Sequence, residues 1–202
     1  SSAASDVYKR QESTFAVTAY RSVGIAARQV YTPRWAHCDD NHAWVEVFVD
    51  GEWHFLGACE PEEVLDTGWF SGPANRAILI HTRNFSDYVK ESNEEYLGKE
   101  GALYYFNHTD FYGRTKLVKI LVKDENGKPA AGAHIAVEIL NMAEFFPAAV
   151  MIADADGEVR MTLGLGDIRV RAFDGIRRAE AMMRIEEEAV SYTHLRAHET
   201  RG

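Results

Sequence analysis

The most restrictive feature of this chain is the strict alternation over residues 42–49, "HAWVEVFV", followed at once by Asp50-Gly51. A period of two puts Ala43, Val45, Val47 and Val49 on one face of a strand and His42, Trp44, Glu46 and Phe48 on the other. Asp-Gly suits the left-handed backbone of a two-residue hairpin turn, so "EWHFLGA" returns antiparallel. Such a turn also fixes register: Val49 faces Glu52, Trp44 faces Gly57 and His42 faces Cys59. His42, Trp44, Gly57 and Cys59 therefore share the surface opposite the valines.

Around this hairpin the period changes. Residues 12–23 carry an apolar stripe at helical spacing, Phe15, Ala16, Ala19, Tyr20 and Val23, closed by Gly24 in the usual place past a helix end. "ARQVYT" reads as a short strand and "PRWAHCDDN" as a polar loop. A helix followed by an antiparallel meander predicts an α+β domain. From about Lys116 the pattern is strand, Asn-Gly turn, strand. Four more short strands follow, punctuated by Asp-Gly and Gly-x-Gly turns, the spacing of a β-sandwich. Residues 86–115 show no clear period, which places a boundary near Gly113.

Composition narrows the function classes. Hydrophobic residues make up 46% of the 202, enough for a packed core. A net charge of −9 with no Lys/Arg cluster argues against a nucleic-acid partner. No apolar run approaches a membrane span. Cys38 and Cys59 give neither a disulfide framework nor a zinc spacing, and no cofactor or metal is implied. The ends, "SSAASDVYKRQ" and "SYTHLRAHETRG", lack apolar period and capping residues, and both resemble translated sequencing-adapter DNA. Residues 1–11 and 191–202 are therefore expected to be non-native and poorly packed, with the true N-terminus missing.

Taken alone, His42 reads as a half-buried histidine bonded to a loop, or as a general base for a nucleophile supplied from elsewhere. Cys59, opposite it, is open to a thiolate–imidazolium pairing, but a strand cysteine has no helix dipole and reads more simply as structural. Trp44, Trp53 and Trp69 suit wall and core roles, with a stacking platform as the alternative. "NHT" at 107–109 fits a glycosylation triplet by pattern only, and "EEE" at 186–188 a solvated end.

The order of helix, "GIAARQVYT" and "NHAWVEVFVDGEW" resembles the transglutaminase-like superfamily of papain-type cysteine enzymes. "GACEPEEVLDTGW" further resembles the peptide N-glycanase-like branch, and together these cover about residues 12–85. The resemblance implies an α+β fold: an N-terminally truncated papain-type helix plus antiparallel sheet over 12–113, followed by a small all-β sandwich over 114–190. It implies a Cys-His-acid site in an amide hydrolase or acyltransferase, with His42 as catalytic base. By the family spacing the nucleophile falls at Lys9 and the orienting acid at Gly57. Glu60 is then the substitute acid, with Asp39 and Asp40 as alternatives, and Trp44 and Trp69 are the substrate-binding residues. "VKDENGKPAAGAHIAV" and "ADADGEV" resemble carboxypeptidase-regulatory-like or prealbumin-like modules of extracellular bacterial proteins. The implied partner is a protein, peptide or glycopeptide, the implied state a monomer, and the implied location extracytoplasmic. The alternative is a non-catalytic binding or scaffold protein, which Gly57 favours. Either way this chain is expected to do no amide chemistry as it stands.

Overall fold

The Asp50-Gly51 turn forms as read, with both residues left-handed at φ 53° and 90°. It joins β2 (His42–Val49) to β3 (Glu52–Leu56), and the register runs from Val49↔Glu52 to Val45↔Leu56. The computed structural model describes residues 2–85, 94–187 and 192–199, with side chains described over 8–85 and 94–187. Residues 1, 188–191 and 200–202, parts of the expected non-native ends and of the "EEE" stretch, lie outside the described residues.

The first sheet is antiparallel throughout. β1 (Ala27–Thr32) lies beside β2, and β4 (His81–Asn84), β6 (Leu103–Asn107) and β5 (Glu95–Glu100) extend it in the order β3-β2-β1-β4-β6-β5. α1 (Ser2–Ser22) packs on one side of it and runs without a break through position 11. Gly24, at φ 85°, ends the helix as expected, with Ile25 N–H donating back to the Tyr20 carbonyl.

The stripe on α1 differs from the one read in sequence. Ser13 and Val17 are buried and Ala16 and Tyr20 half-buried, whereas Phe15 and Val23 are 75% and 72% exposed. A hydrogen bond decides this. Ser13 Oγ accepts from Gln29 Nε2 at 2.6 Å and donates to the Lys9 carbonyl, so a polar residue occupies the core-facing turn.

Both faces of β2 are covered. Val45 and Val47 meet Val17, Ala27 and Leu56 under α1. Trp44 on the other face joins Val30, Trp35, Phe55, Phe70 and Tyr112. That second cluster is closed by two single-turn helices, α2 (Ser71–Ala74) and α3 (Thr109–Tyr112).

The remaining strands are β7 (Thr115–Asp124), β8 (His134–Asn141), β9 (Glu144–Ile152), β10 (Glu158–Gly164), β11 (Gly166–Phe173), β12 (Arg177–Ile185) and β13 (Tyr192–Glu199). Their order is β10-β7-β13-β12-β11-β8-β9, with β13 parallel to β7. This sheet folds over itself: Val118 and Ile120 from one end share a core with Ile135, Val137, Ile168 and Val170 from the other. Ile78 and Leu79 reach into the same core.

The expected fold class, an α+β papain-type domain followed by a sandwich, is corrected. The described chain is predominantly antiparallel β, with thirteen strands against three helices, and sandwich-like overall. The stretch over 86–115 contains β5 and β6, but a register shift between Tyr96 and Gly98 interrupts the alternation that marks a strand.

Candidate functional site

His42 is the first residue of β2, paired with Thr32 of β1, and its imidazole sits at the end of the sheet where the N-terminal half of α1 passes. The ring is packed by aromatics: Trp69 at 4.7 Å between centroids, Phe70 at 5.1 Å and Trp44 stacked at 5.7 Å. His42 is 9% exposed, and its buried Nδ1 has no hydrogen-bond partner among the described residues. Burial first, then the Lys9 ammonium, lowers its pKa to about 4 against a weak opposing pull from Asp40. The ring is therefore neutral at physiological pH, with one nitrogen unclaimed, and a weak base.

A cleft of about 240 Å³ opens beside it, walled by Lys9, Glu12, Gly57, Cys59, Glu60 and Trp69 as well as His42. Lys9, the position the family spacing assigns to the nucleophile, donates from Nζ to Asp40 Oδ2 at 2.7 Å and to the Asn41 carbonyl at 3.2 Å. Asp40 in turn accepts from Asn41 N–H at 2.8 Å. Asp39 accepts from Met142 N–H at 2.6 Å. Both loop carboxylates that sequence offered as alternative acids thus have other partners.

At the third position the site is closed as well as empty. A Cβ on Gly57 would lie 2.6 Å from the carbonyl oxygen of Glu60, so the main chain of the 57–61 turn occupies the space an acid would need. Glu60 itself is exposed on the cleft rim. Cys59 is an exposed free thiol. Local desolvation, followed by the Glu12 carboxylate beside it, pushes its pKa up to about 11, the opposite of what a nucleophile needs.

The two tryptophans named from sequence part company. Trp44 is fully buried, with Nε1 donating to Tyr112 Oη at 2.8 Å, and serves as core. Trp69 is 55% exposed and flanks the cleft. Trp53, read as wall or core, carries the Arg28 guanidinium 4.0 Å over its ring. Among the described residues no cluster of His, Cys, Asp or Glu converges on a metal site. No helix is long and apolar enough to cross a membrane.

A buried polar network behind the sheet escaped the sequence reading. Arg28, 1% exposed, donates to Glu46 Oε2 and to Glu94 Oε1, each at 2.7 Å, while Tyr112 donates to Glu46 Oε1 at 2.5 Å. Burial alone would lower the Arg28 pKa, but the two carboxylates outweigh it and raise it. Glu46 lies on the expected face of β2, but nothing in sequence pointed to its partner eighteen residues earlier.

The sequence model of the transglutaminase-like superfamily matches residues 8–58, most of α1 through the end of β3. Lys9, His42 and Gly57 all fall inside the matched stretch. Among curated proteins, none matches this chain. Among solved structures, a streptococcal ancillary pilin is similar at 10% identity and a TM-score of 0.38, with 91% of this chain covered. The chain spans 65% of that pilin chain's length.

Proposed function

We propose that this chain is a non-catalytic binding protein that keeps a transglutaminase-like cleft for recognising an extended peptide or glycopeptide. The observation that carries the reading is Gly57, where the family pattern expects an acid and an added Cβ would lie 2.6 Å from the Glu60 carbonyl oxygen. Lys9, inside the stretch expected to be non-native, adds to it. Where the family pattern expects a thiol, an ammonium is held by Asp40, and it adds to burial, the larger cause, in keeping the neighbouring His42 unprotonated. An ammonium in an ion pair has no free lone pair to attack an amide. What the cleft retains suits binding: an exposed indole at Trp69, a neutral imidazole with one open nitrogen, and a shallow pocket between them. The division near Gly113 belongs to this proposal, with the second unit providing most of its own core.

The test is titration of the full chain with unmodified peptides and with an asparagine-linked glycopeptide, followed through the His42 and Trp69 side-chain NMR signals. Saturable shifts that Trp69→Ala weakens at least about tenfold are expected. Signals that no member of the panel moves would overturn the reading.

A second reading is favoured by one observation, the unclaimed His42 Nδ1 beside position 9. In it the chain derives from a cysteine amide hydrolase or acyltransferase whose nucleophile is absent here. A thiol supplied at that position would give its proton to His42 and add as thiolate to the amide carbonyl, and His42 would pass that proton to the leaving amine as the C–N bond breaks. Water or an amine would then resolve the thioester.

A further inference from the structure

The β8–β9 hairpin turns on Met142 and Ala143, both left-handed at φ 54° and 58°. Glycine or asparagine takes this backbone readily, whereas methionine and alanine do so against a steric penalty. Strain of this kind persists only where the surroundings over-determine it. Here the surroundings are the loop over residues 33–41. Asn141, 3% exposed, donates from Nδ2 to the carbonyls of Trp35 at 2.9 Å and Cys38 at 2.8 Å. Met142 N–H donates to Asp39, and the Arg34 guanidinium lies 3.8 Å over the Phe146 ring. The Asn141 and Met142 bonds join residues 103 to 106 positions apart.

The same loop leads directly into His42 and carries the Asp40 that holds Lys9. Its own closures include Trp35 N–H to the Asp40 carbonyl, Asp40 N–H to the Cys38 carbonyl, Arg34 to the Pro33 carbonyl, and the Asp40 side chain on Asn41 N–H. The corner from the second sheet adds bonds to the carbonyls of Trp35 and Cys38 and to the side chain of Asp39, tying this loop to β8 and β9.

We propose that the Asn141 side chain and the Met142 main-chain N–H of the β8–β9 corner position the His42 cleft, so that the second sheet sets where the His42 ring and Asp40 lie. The proposal rests on reading the His42 cleft as the functional site. If the corner served packing alone, losing its contacts would lower stability and leave the surroundings of His42 unchanged. The groups that set the His42 environment are Lys9 and Asp40, with Glu12, Cys59 and Glu60 along the same cleft.

The experiment follows the His42 imidazole NMR signals of the full chain against pH, without ligand. Asn141→Ala and Asp39→Ala free the loop, and the His42 midpoint is expected to rise from about 4 towards 6.5 as water and Asp40 reach the ring. Asp39→Asn keeps an acceptor for Met142 N–H and is expected to match the parent. The double variant Met142→Asn/Ala143→Gly, which relaxes the turn and keeps Asn141, is expected to match it too, with a higher melting temperature. A His42 midpoint unmoved in folded Asn141→Ala and Asp39→Ala would overturn the proposal. Should Asn141→Ala fail to fold, Asp39→Ala, a change at an exposed residue, decides alone. A shifted His42 without any peptide binding would leave this proposal standing and remove only the binding function.

Discussion

Lys9 Nζ and Asp40 Oδ2 form an ion pair of 2.7 Å beside the His42 ring, with the two side chains 20% and 40% exposed. The ammonium of this pair stands at the position where the proposed resemblance would place a thiol. Burial, and after it the Lys9 ammonium, keeps His42 neutral against the opposing pull of Asp40.

The neutral His42 predicts a specific acid sensitivity. An unfolded histidine takes up its proton near 6.5, whereas His42 takes it up only at about 4. Between those values the unfolded chain holds more protons, so stability rises with pH across the window and is lost as pH falls through it. The full contribution is about 3 kcal/mol. His81, lowered by complete burial to about 3, acts in the same direction. Urea unfolding at about pH 7 and about pH 4.5 is expected to show a lower midpoint in acid and a smaller difference in His42→Gln. An undiminished difference in that variant would contradict a buried neutral ring.

Restoring an acid at position 57 is expected to cost stability. The added Cβ meets the Glu60 carbonyl at 2.6 Å whichever side chain follows it. Gly57→Ala and Gly57→Asp should therefore each lose roughly 1–3 kcal/mol by chemical denaturation. An Asp variant as stable as the parent would mean that the 57–61 turn yields readily and the acid position is usable.

The network behind the sheet predicts a larger loss. Arg28→Met leaves the carboxylate of Glu46, which has no exposure, without its main counter-charge. A loss of roughly 3–5 kcal/mol is expected, because the remaining charge stays buried. Glu46→Gln keeps its shape and the hydrogen bond to Tyr112 and should lose less. Equal, small losses in both would show that water reaches the pair.

How far sequence carries depends on how local the cause is. The β2–β3 hairpin was legible because Asp50-Gly51 and a strict period of two settle both turn and register within fifteen residues. That placed His42, Gly57 and Cys59 around one cleft. The helix face was misread because Ser13 is buried by a bond to Gln29, and an apolar period does not record such a bond. β5 went unread because an irregularity between Tyr96 and Gly98 breaks its alternation. Asn141 was beyond reach: its partners lie 103 and 106 residues away, and a single asparagine in a strand has no pattern.

The proposal that the cleft lacks a usable nucleophile is tested most directly by peptide-mapped mass measurement of the unmodified chain with iodoacetamide, across pH and beside His42→Ala, which separates Cys59 from the other exposed thiol, Cys38. Cys59, raised to about 11, is expected to label slowly near neutrality, faster only as pH climbs towards that value, and equally in both proteins. Lys9→Cys is expected to add one site that labels rapidly near neutral pH and loses that advantage when combined with His42→Ala. Rapid neutral labelling of Cys59 in the unmodified chain, abolished by His42→Ala, would contradict this and make Cys59 the nucleophile.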